Sequence, residues 1–150
     1  MILNNPKNIE VLNYLKQGHP EFICEIKQCQ FHDKEVDMKI STHPESANFL
    51  WNTLANKIDV NCAYVLFDTA VLINPLTGII FAIAEGTYPP LLRLSKDLRN
   101  EVIKQGGSIR LSNLDGVYAD AHELGADWLY CYTFIPNLED YCLKAYVYSL

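Results

Sequence analysis

The sequence predicts an α+β domain: a mostly antiparallel central sheet of about five or six strands, packed with about four helices. Three observations predict it. Two near-continuous apolar runs, residues 63–73 and 79–84, are joined by Asn74-Pro75-Leu76-Thr77-Gly78. Pro75 fixes φ for a turn and Gly78 accepts the positive φ that closes a longer loop, so the runs pair antiparallel. Both runs are apolar at successive positions, which requires cover on both faces of the sheet, and segments with helical spacing stand before and after them to supply it. A chain of 150 residues, 49% hydrophobic and 20% charged, fits one globular domain over 1–150. Such a chain buries roughly two thirds of its unfolded surface without staples.

Taken in order, Asn5-Pro6 reads as an N-cap with proline at the first helical position. Ile9, Leu12 and Leu15 share a helical face before Gly18 ends the run. Residues 22–26 and the alternating 36–40 read as two strands with a long loop between them. Ser41-Thr42-His43-Pro44-Glu45 gathers cap residues, a first-turn proline and an early acid. Ala47, Leu50, Trp51, Leu54, Ala55 and Ile58 follow with the spacing of a buried face, so 44–58 is the best-patterned helix, ended by Asp59-Val60-Asn61. Beyond the central hairpin, Pro89-Pro90 confines a third strand over 91–94 to an edge, or the prolines to its start.

Ser95 caps a helix over 96–105, with Leu98 and Val102 inward and Gly106-Gly107 as its stop. Residues 108–111 form a short strand, Asn113-Leu114-Asp115-Gly116 a turn, and 120–127 a polar, acidic connection. The aromatic, alternating 128–134 reads as a further strand. Leu138, Tyr141, Cys142, Ala145 and Tyr146 recur at helical spacing; the segment is read as helix, although Tyr146-Val147-Tyr148 fits a strand as well.

Composition narrows the function classes. No apolar stretch reaches the roughly 18 residues of a membrane helix, and Met1-Ile2-Leu3-Asn4-Asn5-Pro6 has neither a basic n-region nor an apolar h-region, so a cytoplasmic protein without a membrane partner is expected. Five irregularly spaced cysteines, Cys24, Cys29, Cys62, Cys131 and Cys142, read as reduced and mostly buried thiols. A net charge of −6 argues against nucleic acid as a partner and favours a basic one.

Reactive constellations are thin. Cys24, Cys29 and His32 stand at C-x4-C-x2-H, looser than the paired ligands of structural zinc, and His43 is the nearest fourth ligand; no metal and no cofactor is expected. His122-Glu123 lacks the second histidine of a zincin helix, because Ala126 occupies that position. Asp120, His122, Glu123 and Asp127, with Trp128 as a wall, form either an acid/base cluster for a small hydrolase or a solvated acidic loop. No nucleophile elbow, phosphate loop or dinucleotide fingerprint occurs, and no catalytic residue is assigned.

Charge placement says more. After Leu111 the acids Asp115, Asp120, Glu123, Asp127, Glu139 and Asp140 face one base, Lys144, among tyrosines of the kind that anchor interfaces. The succession 73–82, Gly86-Thr87, Leu92-Arg93-Leu94, Gly106-Gly107 and Leu124-Gly125-Ala126-Asp127-Trp128 resembles small bacterial proteins, among them immunity proteins of polymorphic and contact-dependent toxin systems. The resemblance spans residues 63–134 and brings no catalytic residue with it. It implies a protein that binds and blocks a cognate toxin domain.

The expectation is therefore a cytoplasmic immunity-type protein meeting a basic toxin domain through Asp115, Tyr118, Asp120, Glu123, Asp127, Glu139, Asp140 and Tyr141. Glu85 and Tyr88, at the polar exit of the hairpin, are further contact candidates. The hydrolase is the alternative, and a homo-oligomer that buries the aromatic C-terminal segment is a third reading.

Overall fold

Successive side chains of the central runs go to opposite sides of one sheet, and both sides are covered. The computed structural model describes residues 3–17, 27–28, 40–58 and 60–150. Its strands are β1 (Lys27–Gln28), β2 (Ala63–Leu66), β3 (Thr69–Ile73), β4 (Ile80–Ala84), β5 (Leu91–Arg93), β6 (Arg110–Asn113), β7 (Gly116–Asp120) and β8 (Trp128–Tyr130). Its α-helices are α1 (Ile9–Lys16), α2 (Pro44–Asn48), α3 (Lys96–Lys104) and α4 (Leu138–Tyr148). The main sheet runs β1-β2-β3-β4-β5-β8 with every pair antiparallel, and β6 and β7 form a separate two-stranded sheet. The fold is α+β, as predicted.

On one face Val65, Leu72, Phe81, Leu92 and Leu129 pack under the helical stretch that begins at α2, under α3 and under α4. On the other, Tyr64, Val71, Ile83, Leu91, Trp128 and Tyr130 pack under α1, the β6–β7 sheet and the turn that follows it. Buried polar side chains tie the ends together. Asn8 Nδ2 donates to the Gly78 carbonyl at 2.7 Å and its Oδ1 accepts from Ile80 N at 3.0 Å, so one side chain fastens α1 to the start of β4. Asn74 closes its own loop by accepting from Leu76 N at 2.9 Å, and its Nδ2 donates to Ser149 Oγ at 3.0 Å. Among the described residues no helix is long and apolar enough to cross a membrane.

The β3–β4 pairing across a loop with Gly78 at φ 72° follows the sequence reading. The run 63–73 does not form one strand. It folds back at Phe67-Asp68, both at positive φ, into the β2–β3 hairpin. The prolines precede β5, which lies inside the sheet between β4 and β8. The helix expected over 44–58 is helical as far as Lys57 but changes gauge, from α through a π stretch (Phe49–Thr53) to a 3-10 turn (Leu54–Lys57). Its predicted inward residues are all buried.

In α1 the buried positions are Val11 and Leu15, while Ile9 is 58% exposed. The helix follows a 3-10 turn at Pro6–Asn8, and its inward stripe is set by Asn8 and Val11 rather than Ile9. The strand predicted at 108–111 starts at Arg110, Gly116–Asp120 is a strand, and the strand at 128–134 ends at Tyr130. The last segment is helix. The strands expected at 22–26 and 36–40, and Cys24, Cys29 and His32, lie outside the described residues. Cys62, Cys131 and Cys142 are buried, and burial pushes the Cys131 thiol up to about 12.

Candidate functional site

The β6–β7 sheet is a hairpin closed by Leu114-Asp115, with Asn113 Oδ1 accepting from Asp115 N at 2.8 Å and Gly116 at φ 115°. Leu111 anchors it, fully buried, on the β8 side of the core. Its exposed apolar side chains are Leu114, fully exposed, Val117, 57% exposed, and Tyr118, 50% exposed. The Tyr118 ring leans on Tyr88 at 5.6 Å between centroids, and Tyr88 meets Tyr130 edge-on at 6.4 Å. An aromatic path therefore leads from the hairpin surface to the interior.

A cavity of about 280 Å³ has Tyr14, Leu15, Gln17, Ser41, Phe67, Thr69, Glu85 and Glu123 on its wall. Tyr14 Oη donates to Glu85 Oε1 at 2.8 Å. Burial raises the Glu85 carboxyl above its ordinary value, the Tyr14 bond opposes this, and the negative charge of Glu123 adds to the rise. Burial, then Glu85, raises the Tyr14 and Tyr130 hydroxyls. Among the described residues no lysine, arginine or histidine lines this cavity. Negative charge is concentrated there without a described counter-charge.

The other predicted site residues divide between the two sides of the sheet. Asp115 is exposed in the hairpin turn. Asp120 ends β7, where it accepts from His122 N at 2.9 Å and pairs with Arg110 at 3.1 Å. Those contacts, the backbone bond foremost, hold its carboxyl below the usual value. Asp127 is an internal counter-ion: it accepts from Arg93 Nη2 and Arg99 Nη1, each at 3.0 Å, and from Tyr148 Oη at 3.3 Å. Arg93 stacks on the Tyr148 ring at 4.5 Å.

Glu139, Asp140 and Tyr141 belong to α4, on the opposite face from the β6–β7 sheet. Asp140 pairs with Lys57. Tyr141 is buried, donating to Glu101 at 2.8 Å and accepting from Gln105 at 2.6 Å. Asp115, Tyr118, Asp120 and Glu123 thus share the hairpin and the turn after it, while the α4 residues do not join them. Glu123 lines the acidic cavity and Asp127 a different one of about 370 Å³ beside Arg93, so these two members of the acid/base cluster do not share a cleft.

Glu85 and Tyr88 stand where the sequence reading places them, after β4, but on the walls of two different cavities, Tyr88 on one of about 440 Å³ with Pro89, Pro90 and Tyr132. Sequence reasoning misses Tyr14, which shares the cavity wall with Glu85. The exposed apolar hairpin is legible in principle: the turn Asn113-Leu114-Asp115-Gly116 ends in Asp-Gly and is flanked by short apolar-polar runs, a hairpin signature. No protein-family model, curated protein or solved structure matches the chain.

Proposed function

We propose that this chain is a cytoplasmic, immunity-type binding protein that neutralises a basic toxin domain. In this reading the contact surface is the β6–β7 hairpin with the acidic ground beside it. The observation that supports it is the exposure of three apolar side chains on one hairpin, Leu114, Val117 and Tyr118, close in sequence to Asp115. Single exposed apolar residues are ordinary, but an aliphatic and aromatic group on one projecting hairpin is the composition of an interface centre. Asp115 and Glu123 at its margin would steer a basic partner and disfavour an acidic one.

The test is co-expression with the C-terminal domain of whatever polypeptide the gene immediately upstream encodes, read as restored growth and as affinity of the purified pair. Tyr118→Ala and Leu114→Ser are expected to weaken binding about tenfold or more each, with an unchanged melting temperature in Leu114→Ser, whose side chain is fully exposed. Glu123→Lys is expected to slow association and flatten its salt dependence. Full protection by the two hairpin variants would remove this surface, and absence of any protection by the wild type would remove the immunity reading.

A further inference from the structure

We propose that the cavity of about 440 Å³ between the start of α2, the loop after β4 and the exit of β8 binds a small organic cation whose charge is a quaternary ammonium. The proposal goes beyond the immunity reading and does not rest on it.

Three segments meet there, and backbone hydrogen bonds hold them together. His43 N donates to the Gly86 carbonyl at 2.9 Å, which ties the start of α2 to the loop after β4. Cys131 N donates to the Pro90 carbonyl at 2.8 Å, which ties the end of that loop to the chain leaving β8. The apolar part of the wall is Phe49, Ala84, Tyr88, Pro89, Pro90 and Tyr132. Its three aromatic residues are half-buried, and each comes from a different segment. Phe134 stacks on Tyr132 at 5.4 Å between centroids and 13° between planes, while Tyr118 and Tyr130 brace Tyr88 at 5.6 and 6.4 Å. The aromatic wall is therefore built without a ligand.

Glu45, Ser46, Thr87 and Thr133 complete the wall. Glu45 is its one charged residue, and among the described residues no ion pair takes up the carboxylate. Phe49 N donates to the Glu45 carbonyl, so the two residues lie one turn apart on the same helical face, ring beside carboxylate. The helix leaves the α gauge for its π stretch at Phe49, an irregularity frequent at functional sites.

This chemistry selects a cation. Aromatic faces carry negative partial charge and attract a cation within about 6 Å, most of all a quaternary ammonium among several rings. A carboxylate at the margin adds a full charge of the same sign. A primary ammonium brings three N–H donors to a wall that is largely carbon, and gives up a tight water shell to enter it. Methyl groups on nitrogen pack against rings and prolines and need no acceptor. An anion meets Glu45 and no described cation. Among the described residues no group of three His, Cys, Asp or Glu side chains could hold a metal ion. The volume falls in the lower part of the range for small-molecule sites, roughly 300–1,000 Å³.

The experiment is an NMR titration of the full chain with choline, its neutral isostere 3,3-dimethylbutan-1-ol, ethanolamine and glucose. Saturable choline binding in the millimolar range is expected, with shifts centred on Phe49, Tyr88 and Tyr132. The isostere, identical in shape and without the charge, should bind about tenfold more weakly, ethanolamine more weakly than choline, and glucose not at all. Glu45→Gln, at an exposed position, and Phe49→Leu, which keeps an apolar side chain without the ring, should each lower the ratio of choline to isostere affinity about threefold or more. Damage to packing alone weakens both probes together and leaves that ratio where it was. Equal affinity for choline and its isostere overturns the proposal, as does saturation by glucose or ethanolamine in preference to choline, absence of saturation, or a ratio unchanged in both variants.

Discussion

At the scale of single residues, the acids that look alike in sequence do different work. Asp127 is a structural counter-ion for two arginines, one of them, Arg93, only 4% exposed. Removing one partner of a buried ion pair leaves the other charge uncompensated, at about 3–5 kcal/mol for a fully buried pair. Asp127 is itself a third exposed, so Asp127→Asn is expected to cost roughly 2 kcal/mol in urea unfolding; a loss of affinity without a loss of stability would return Asp127 to the interface. Glu85 behaves in the opposite way. Its carboxyl is raised by burial, and by Glu123, against the Tyr14 bond. The folded state therefore holds the proton more tightly than the unfolded chain. Stability then falls as pH rises from the unfolded value through the folded one, and the penalty is complete above both. Glu85→Gln carries no such titration. It is expected to match wild type below about pH 4 and to melt higher than wild type at neutral pH; a variant that melts lower at neutral pH would reverse the assigned direction.

At the scale of elements, legibility tracked whether the local signal was the one that decided the structure. The loop 74–79, the inward residues of 44–58 and α4 were readable because proline, glycine and helical spacing act locally. The β2–β3 hairpin was not, because Phe67-Asp68 has no glycine or asparagine to advertise a turn. Its positive φ values, 49° and 60°, are imposed from outside: Phe67 is buried in the core, and the Asp68 carbonyl accepts from Ser41 N and Oγ at 2.7 Å each. The same reasoning explains why the acidic surface came out smaller than the sequence implied. Charge counts along a chain do not say that Arg93 and Arg99, far upstream, close on Asp127, or that Lys57 closes on Asp140. The turn makes its own prediction. Asp68→Gly keeps the carbonyl and relieves the left-handed strain, so a gain of about 0.5 kcal/mol is expected after glycine's extra chain entropy is subtracted. A loss in thermal or urea unfolding would show that the Asp68 side chain contributes more than its backbone.

At the scale of the molecule, one sheet serves two cores, and whether they unfold together is a physical question with built-in reporters. Trp51 lies in the core under α3 and α4, and Trp128 in the core under α1 and the β6–β7 sheet. The cores share every long strand: Leu72 and Val71 are neighbours on β3 and point to opposite sides. Removing either layer exposes the face it covers on strands that the other core also needs. Trp51 also donates across this boundary, from Nε1 to the Val71 carbonyl at 3.1 Å, joining the helical layer to the backbone of a central strand. A chain of this size with such sharing unfolds in one cooperative step. In Trp51→Phe and in Trp128→Phe, the fluorescence of the remaining indole and the far-UV circular dichroism should give one urea midpoint within each variant. Both variants should be less stable than wild type, because each loses buried ring area. Separated midpoints within either variant would mean that the α1 layer with its hairpin, which carries the proposed contact surface, opens independently of the rest; the binding site would then be the less stable part of the fold.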